Sequence, residues 1–399
     1  MSAVVFVAGV GVISGIGNNI SGCLNALKSS KTGIDKIKYL PTNHSEVLPA
    51  AEVKLSNNEL AALSGFSPSI SRTAMLSMIA AKEALDDSGI HSIPGLRTGF
   101  VSATTAGGID KTENFATAFL TDHSKGRLRD MLHHDSGSIT AIVADKLGIK
   151  NHISTISTAC SSSANAIMYG ARLIKHNILD AVIAGGVDSF TRFSLNGFNA
   201  LMILDEQYCK PFDENRKGLN LGEGAGYVVL VSERVAALLK KDAYCSLSGY
   251  HNANDAYHQT STSPGGDGPF EAMSGALKMS GLQPADIGYI NLHGTGTQNN
   301  DSSEGAAIER LFNPSYPKMS STKSFTGHTL GASAGIEAAF SALAVQQGLV
   351  YPNLRLQTPI KEFSFAPETA FSKHPDIKHV LSNSFGFGGN CSSLIFSKI

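Results

Sequence analysis

The sequence of 399 residues has no tryptophan, only five cysteines, and a charged fraction of 16% against an apolar fraction of 42%. That balance excludes a disordered or fibrous chain and points to a globular protein with much of its surface hidden, in a deep core or an oligomer. The net charge is -1 and no dense Lys/Arg block occurs, so there is no electrostatic footprint for nucleic acid or an anionic membrane. Cys23, Cys160, Cys209, Cys245 and Cys391 are odd in number, widely spaced and free of any CxxC pair. They argue against a disulfide framework and a thiolate zinc site, and fit a reducing, cytoplasmic compartment. No run approaches the roughly 20 apolar residues that span a bilayer. The apolar start at residues 4–8 lacks a basic flank and is broken by Gly9, Gly11, Gly15 and Gly17, so it reads as a buried first strand followed by a glycine turn, not a secretory signal. No Pro- or Ser-rich linker separates parts of the chain, which predicts one rigid body.

What is present is a rhythm of short apolar runs and helical segments. Strands are predicted at 4–7, 99–102, 153–156, 181–184 and 226–231, with helices at 73–87, near 139–147, and from 160 to about 175. This alternation predicts an α/β fold. After a charged helical stretch at 233–241 the pattern restarts, with a strand at 245–249, a helix near 270–280 and a strand at 287–292, dividing the chain into halves 1–241 and 242–399. Thr158-Ala-Cys-Ser-Ser-Ser-Ala-Asn-Ala and Thr326-Gly-His-Thr-Leu-Gly-Ala-Ser-Ala each set one reactive side chain before a small-residue helix, which suggests internal duplication. Residues 103–135 are Thr/Gly-rich and then His/Asp-rich, an excursion suited to a pocket or a subunit contact.

Four motifs carry chemistry. Cys160 lies where an apolar strand bends into a helix; there the helix dipole and free N–H groups favour thiolate and can hold an oxyanion, although a buried structural cysteine is the bland alternative. His293, in Ile290-Asn-Leu-His293-Gly-Thr295-Gly-Thr297, should project from a strand end, with two hydroxyls beside it for a polar ligand. Lys323, His328 and Glu337 spread a cation, an imidazole and a carboxylate over a turn and its helix. Glu337 falls about two and a half turns after His328, which predicts support of Lys323 or a loop. Ser382-Asn-Ser-Phe385-Gly-Phe387-Gly-Gly-Asn390-Cys391 is a glycine-dense loop whose phenylalanines are either core aromatics or a hydrophobic gate with oxyanion donors.

In this order, over essentially the whole chain, these motifs resemble the β-ketoacyl-acyl carrier protein synthases, most closely the elongating enzymes of bacterial fatty acid synthesis and the polyketide ketosynthases. Lys210-Pro-Phe-Asp213-Glu-Asn-Arg216, Gly222-Glu-Gly-Ala-Gly226 and Asn254-Asp-Ala-Tyr-His258 extend the match. The resemblance implies a thiolase-like fold, two βαβαβαββ halves giving a five-layered αβαβα body. It implies a homodimer, or a heterodimer with a related ketosynthase or chain-length factor. Cys160 would accept the acyl group; His293 and His328 would polarise a malonyl thioester and stabilise the enolate left by decarboxylation, with Lys323 in support. Glu337 would be a structural acid, Phe385 a gate sharing the oxyanion hole with Cys160, and Thr295, Thr297 and Phe387 substrate contacts, the threonines toward phosphopantetheine. No cofactor or metal is implied, since an acyl carrier protein brings the substrates on its own phosphopantetheine.

Three departures are visible. Lys210 stands where arginine is usual, Gly-Asn-Cys replaces Gly-Thr-Asn after Gly388, and three serines follow Cys160 in the manner of polyketide ketosynthases. They leave room for a specialised polyene or polyketide pathway. A thiolase would need a second catalytic cysteine, for which Cys391 is the candidate; a non-catalytic chain-length factor would lack the nucleophile that is present here. Dinucleotide binding at Gly9-Val-Gly11 fails, because the third glycine of that fingerprint is missing.

Overall fold

A computed structural model describes residues 4–399. Strand β1 (Val5–Ser14) is buried on both faces along nearly its whole length, as a strand between helical layers must be. The turn expected at its first glycines is not there. Gly9 and Gly11 lie inside the strand, and the chain folds back only between Ser14 and Gly17. The reason is packing: a Cβ on Gly11 would lie 2.1 Å from the carbonyl oxygen of Ala80, so glycine lets α1 (Arg72–Ser88) approach the strand closely.

The first half continues through β2 (Thr98–Ala103), α2 (Ser136–Lys146), β3 (His152–Ile156), α3 (Ser162–Lys175), β4 (Ala181–Asp188) and β5 (Gly224–Ser232). The second repeats the series with β6 (Cys245–Asn254), α4 (Asp267–Ser280), β7 (Tyr289–Asn291), α5 (Gln298–Phe312), β8 (Lys318–Ser320), α6 (Ser333–Gln347), β9 (His379–Phe385) and β10 (Asn390–Ser397). Of the charged stretch at 233–241 only Glu233–Ala236 is helical; one turn caps β5, and the rest joins the halves.

The strands form one sheet in the order β3-β2-β4-β5-β1-β6-β10-β9-β7-β8. Read inward from either edge, the sequence is the third, second, fourth, fifth and first strand of that half. Pairing repeats as well: the three outer strands of each half are parallel and the inner ones antiparallel. The halves join where Phe6 and Val7 pair with Ser246 and Cys245. Helices α1 and α2 pack on the outer face of the first half, and α4 and α5 on that of the second. Between the halves lie α3 and α6, and α6 is buried throughout Ser333 to Val345. These five layers make a thiolase-like fold.

The duplication decides where chemistry can sit. Cys160 lies between β3 and α3, and His328 lies between β8 and α6, at matching positions of the two halves. His293 follows β7. All three therefore leave carboxyl ends of parallel strands, where α/β sheets build their sites. The excursion at 103–135 contains a helix, Ile109–Thr121, and a short 3-10 segment, Leu128–His133, neither of which buries a residue. No helix among the described residues is long and apolar enough to cross a membrane.

Candidate active site

Cys160 is delivered by a strained elbow. Ala159, just before it, has φ +53°, a left-handed conformation unusual for a residue with a side chain. The Cys160 sulfur lies 3.0 Å from Nε2 of His328, and the backbone N–H groups of Cys160 and Phe387 face it. Burial pushes the thiol up to about 11, outweighing the opposing pull of Lys323 and of those N–H groups. The standing thiolate expected from the helix terminus is thus absent at rest, because desolvation of the charged form is the larger effect.

His328 is fixed through its backbone. Its N–H donates to the Asn220 carbonyl at 2.7 Å, its carbonyl accepts the Gly222 N–H at 3.0 Å, and its Nδ1 lies 3.0 Å from the Ser333 hydroxyl. This explains the glycine at the head of Gly222-Glu-Gly-Ala-Gly226: a Cβ there would meet the Thr326 carbonyl oxygen at 2.1 Å. His293 stands edge-on to His328, with ring centres 5.5 Å apart, and Nδ1 of His293 is buried without a protein partner.

Lys323 is only 1% exposed, which rules out a solvated surface charge. Its Nζ lies 2.5 Å from Glu337 Oε1, so Glu337 meets the lysine and not His328. Burial lifts the Glu337 carboxyl to about 7, with Lys323 pulling the other way. Burial and then the Lys323 charge hold both imidazoles well below the usual histidine range, so both are neutral near pH 7.

Two acids escaped the sequence reading. Glu304 accepts the N–H groups of His293 and Gly294, both at 2.8 Å, and Asp301 accepts those of Thr295 at 3.0 Å and Gly296 at 3.2 Å. They sit three residues apart on the first turns of α5, one helical turn from each other, and clamp the loop that carries His293. The signal was available: paired acids opening a helix directly after His-Gly-Thr-Gly-Thr, in a chain with little charge. Arg216 braces the same loop through the carbonyls of Thr297 and Gln298, which accounts for the Lys210–Arg216 motif.

Cys160, His293 and His328 line a cavity of about 360 Å³, with Thr295 and Thr297 and an apolar side that includes Phe198, Leu201 and Leu219. The two threonine hydroxyls lie 2.9 Å apart. None of residues 103–135 lines this cavity. The two phenylalanines are held differently. Phe385 is the last residue of β9, its backbone opposite Cys391 and its buried ring 5.7 Å from that of His293. Phe387 follows the strand, presents its N–H to the sulfur and stacks its half-buried ring on Phe198 at 5.9 Å. Both phenylalanines line the cavity, and of the two it is Phe387 whose backbone N–H faces the sulfur, because the ladder of β9 takes up the backbone of Phe385. Cys391, the second cysteine a thiolase would need, is buried beside Ala272 and Phe385 and does not line the cavity.

A thiol at a strand end, facing two neutral imidazoles and a pair of backbone N–H groups, is an arrangement able to exchange acyl groups between thioesters. Comparison with known proteins gives the family. Residues 2–236 match the N-terminal domain, and 244–357 the C-terminal domain, of the β-ketoacyl synthases. The chain is 34% identical to 3-oxoacyl-(acyl-carrier-protein) synthase 2 of Staphylococcus aureus (strain N315), over 99% of this chain and 98% of that one. It is 33% identical to the synthase of that name from Coxiella burnetii, with the same coverage. Among solved structures, the ishigamide ketosynthase/chain length factor superposes with a TM-score of 0.93 at 26% identity, covering all of both chains. The ketosynthase ApeO, in complex with its chain length factor ApeC from Xenorhabdus doucetiae, gives 0.85 at 28%, covering all of this chain and 98% of that one. The protein belongs to the β-ketoacyl synthase family and is an acyl-transferring, carbon-carbon bond-forming enzyme.

Proposed function

We propose that this protein takes an acyl chain from acyl carrier protein onto Cys160 and extends it with malonyl-acyl carrier protein to give the 3-oxoacyl product. The observation that carries the reading is the 3.0 Å contact between the Cys160 sulfur and His328 Nε2, with the His293 ring beside it. In loading, the sulfur attacks the acyl thioester, and the oxyanion is held by the N–H groups of Cys160 and Phe387. The carrier leaves as its thiol, taking up the proton that Cys160 gives up. For extension, His328 acts in the tautomer that carries its proton on Nε2, with the Ser333 hydroxyl donating to Nδ1, and both imidazoles donate to the malonyl thioester oxygen. Carbon dioxide departs, the bonding electrons pass into the enolate, and its carbon attacks the Cys160 thioester. The tetrahedral oxygen returns to the two N–H groups, and collapse expels the Cys160 thiolate. Thr295 and Thr297, at the cavity wall, offer hydroxyls to the phosphopantetheine arm, and Phe387, stacked on Phe198, closes over the thiol.

A polyene or polyketide pathway, with a chain-length factor as partner subunit, is supported by the likeness to the ishigamide ketosynthase/chain length factor and by the serines after Cys160. The outer edge of β3 is unpaired, with Ile153 exposed, and Phe119, Leu120, Leu128 and Leu132 are exposed on the excursion. The unpaired edge supports pairing of subunits along β3, and the exposed apolar side chains of the excursion support a contact surface there. Five free, buried cysteines support the cytoplasm as its compartment.

The test offers acyl-carrier-protein thioesters of graded length and conjugation with malonyl-carrier protein and identifies products by mass. A 3-oxo product two carbons longer, with one carbon dioxide released per turnover, is expected. Condensation without carbon dioxide release would refute the reading.

A further inference from the structure

The run Ser161-Ser162-Ser163 directly after the nucleophile is fully buried, yet none of the three lines the cavity. Three buried hydroxyls in a row are unfavourable unless each has a partner. Each finds one in a different element. Ser162 closes the elbow itself, accepting the Thr158 N–H at 2.8 Å and donating to the Ala159 carbonyl at 2.5 Å, which secures the left-handed Ala159.

Ser161 reaches into the other half of the molecule. Its hydroxyl lies 2.6 Å from Asn390 Oδ1 and 2.7 Å from the Thr158 carbonyl oxygen. The same Oδ1 accepts from Asn165 Nδ2 at 2.9 Å and Asn252 Nδ2 at 2.8 Å. Asn390 is one of the residues noted above as departing from the resemblance, and it opens β10, with its carbonyl accepting the Gly386 N–H at 2.9 Å. The short loop that presents the Phe387 N–H is therefore pinned at its base to the elbow.

Ser163 points elsewhere, since residues two apart on a helix face about 200° away from one another. It donates to the carbonyl of Gly331, in the turn between His328 and α6. The N–H of that same Gly331 donates to Asp188 Oδ2 at 2.7 Å. The neighbouring Leu330 has φ +53°, so this turn is strained, and it is held through the two peptide groups that flank Gly331.

We propose that Ser161 and Ser163 are positioning residues that set two separate distances about the sulfur. Ser161, through Asn390, places the Phe387 N–H over Cys160; Ser163, through Gly331, places the His328 imidazole. The proposal rests on the functional reading above, because it assigns the first placement to acyl loading and the second to decarboxylation. A residue acting only through the general integrity of the core would affect both steps alike.

Single-turnover measurements on the intact enzyme separate the steps. Loading is read by intact mass after mixing with an acyl-carrier-protein thioester, and decarboxylation by carbon dioxide release when malonyl-carrier protein meets enzyme that is already fully acylated. Ser161→Ala and Asn390→Ala are each expected to slow loading on the order of tenfold or more relative to decarboxylation. Combined, they should slow it no further than the worse single change. Ser163→Ala and Asp188→Asn are expected to shift the ratio of the two rates the opposite way, and Asp188→Asn carries the test if Ser163→Ala does not fold. Variants that slow both steps equally, or that leave the ratio unchanged, overturn the proposal. Wild-type enzyme that neither loads nor releases carbon dioxide would instead overturn the functional reading beneath it.

Discussion

Around the sulfur, one cation sets the protonation of several neighbours. Lys323 opposes burial at Glu337, where it favours the charged carboxylate, and adds to burial at His293 and His328, where it disfavours the charged imidazolium. Both effects suit donors that must be neutral N–H groups at physiological pH. Lys323→Met should therefore move three groups in the same direction. Both imidazoles rise toward the ordinary histidine range, and Glu337 rises further above 7. The acid limb of the condensation rate should shift to higher pH, with roughly a hundredfold lower rate at neutrality. Titration of isotopically labelled histidine by NMR checks this, and imidazoles that stay where they were would remove Lys323 from the electrostatics of the pair. At this scale the reactive types were legible in the sequence, because Cys160, His293, Lys323 and His328 each stand in a small-residue or glycine-rich setting. Their charge states were not, since desolvation depends on everything folded around them.

Secondary-structure elements decide which of these residues can act. The loop after β7 carries four consecutive N–H groups that the strand no longer pairs, and the first turns of α5 answer with Asp301 and Glu304. Glu304→Gln keeps the shape but turns one acceptor into a donor facing an N–H. It should lower stability by about 1–3 kcal/mol and slow carbon dioxide release more than acyl loading. Denaturant unfolding and the two single-turnover rates measure both, and unchanged stability would show that this clamp is not what holds His293. The same scale explains what the sequence misjudged. Phe385 and Phe387 read alike as phenylalanines in a glycine loop, but β9 extends through Phe385 in register with Cys391, leaving only Phe387 with a free N–H. Gly9 and Gly11 read as a turn because their use, close approach of α1 across the sequence gap, is tertiary. Residues 233–241 read as helix from charge and period, but helix beyond Ala236 gives way to the connection into β6.

The whole molecule is a duplicated body in which one half carries Cys160 and the other both imidazoles, so the three come together only when the layers around α3 and α6 are assembled. The repeat of reactive residue before small-residue helix was legible in Thr158-Ala-Cys160 and Thr326-Gly-His328, and the matching strand orders account for it. The excursion at 103–135 was legible as a departure from the core, but the unpaired edge of β3 was not, because strand order is tertiary. If subunits pair along that edge, Ile153→Asp should convert a dimer to a monomer in light scattering, since a charge there must be buried or the contact given up. Activity should fall with it, because β3 leads directly into Cys160. A variant that remains a dimer would move the subunit contact to another surface.

The central claim is tested most directly by intact mass of the enzyme before and after malonyl-carrier protein is added. Incubated with an acyl-carrier-protein thioester, wild-type protein should gain one acyl group, mapped to Cys160, and lose it when malonyl-carrier protein arrives, while Cys160→Ala stays at its unmodified mass throughout. An acyl adduct that persists on Cys160→Ala, or a Cys160 adduct that malonyl-carrier protein leaves in place, would contradict the account.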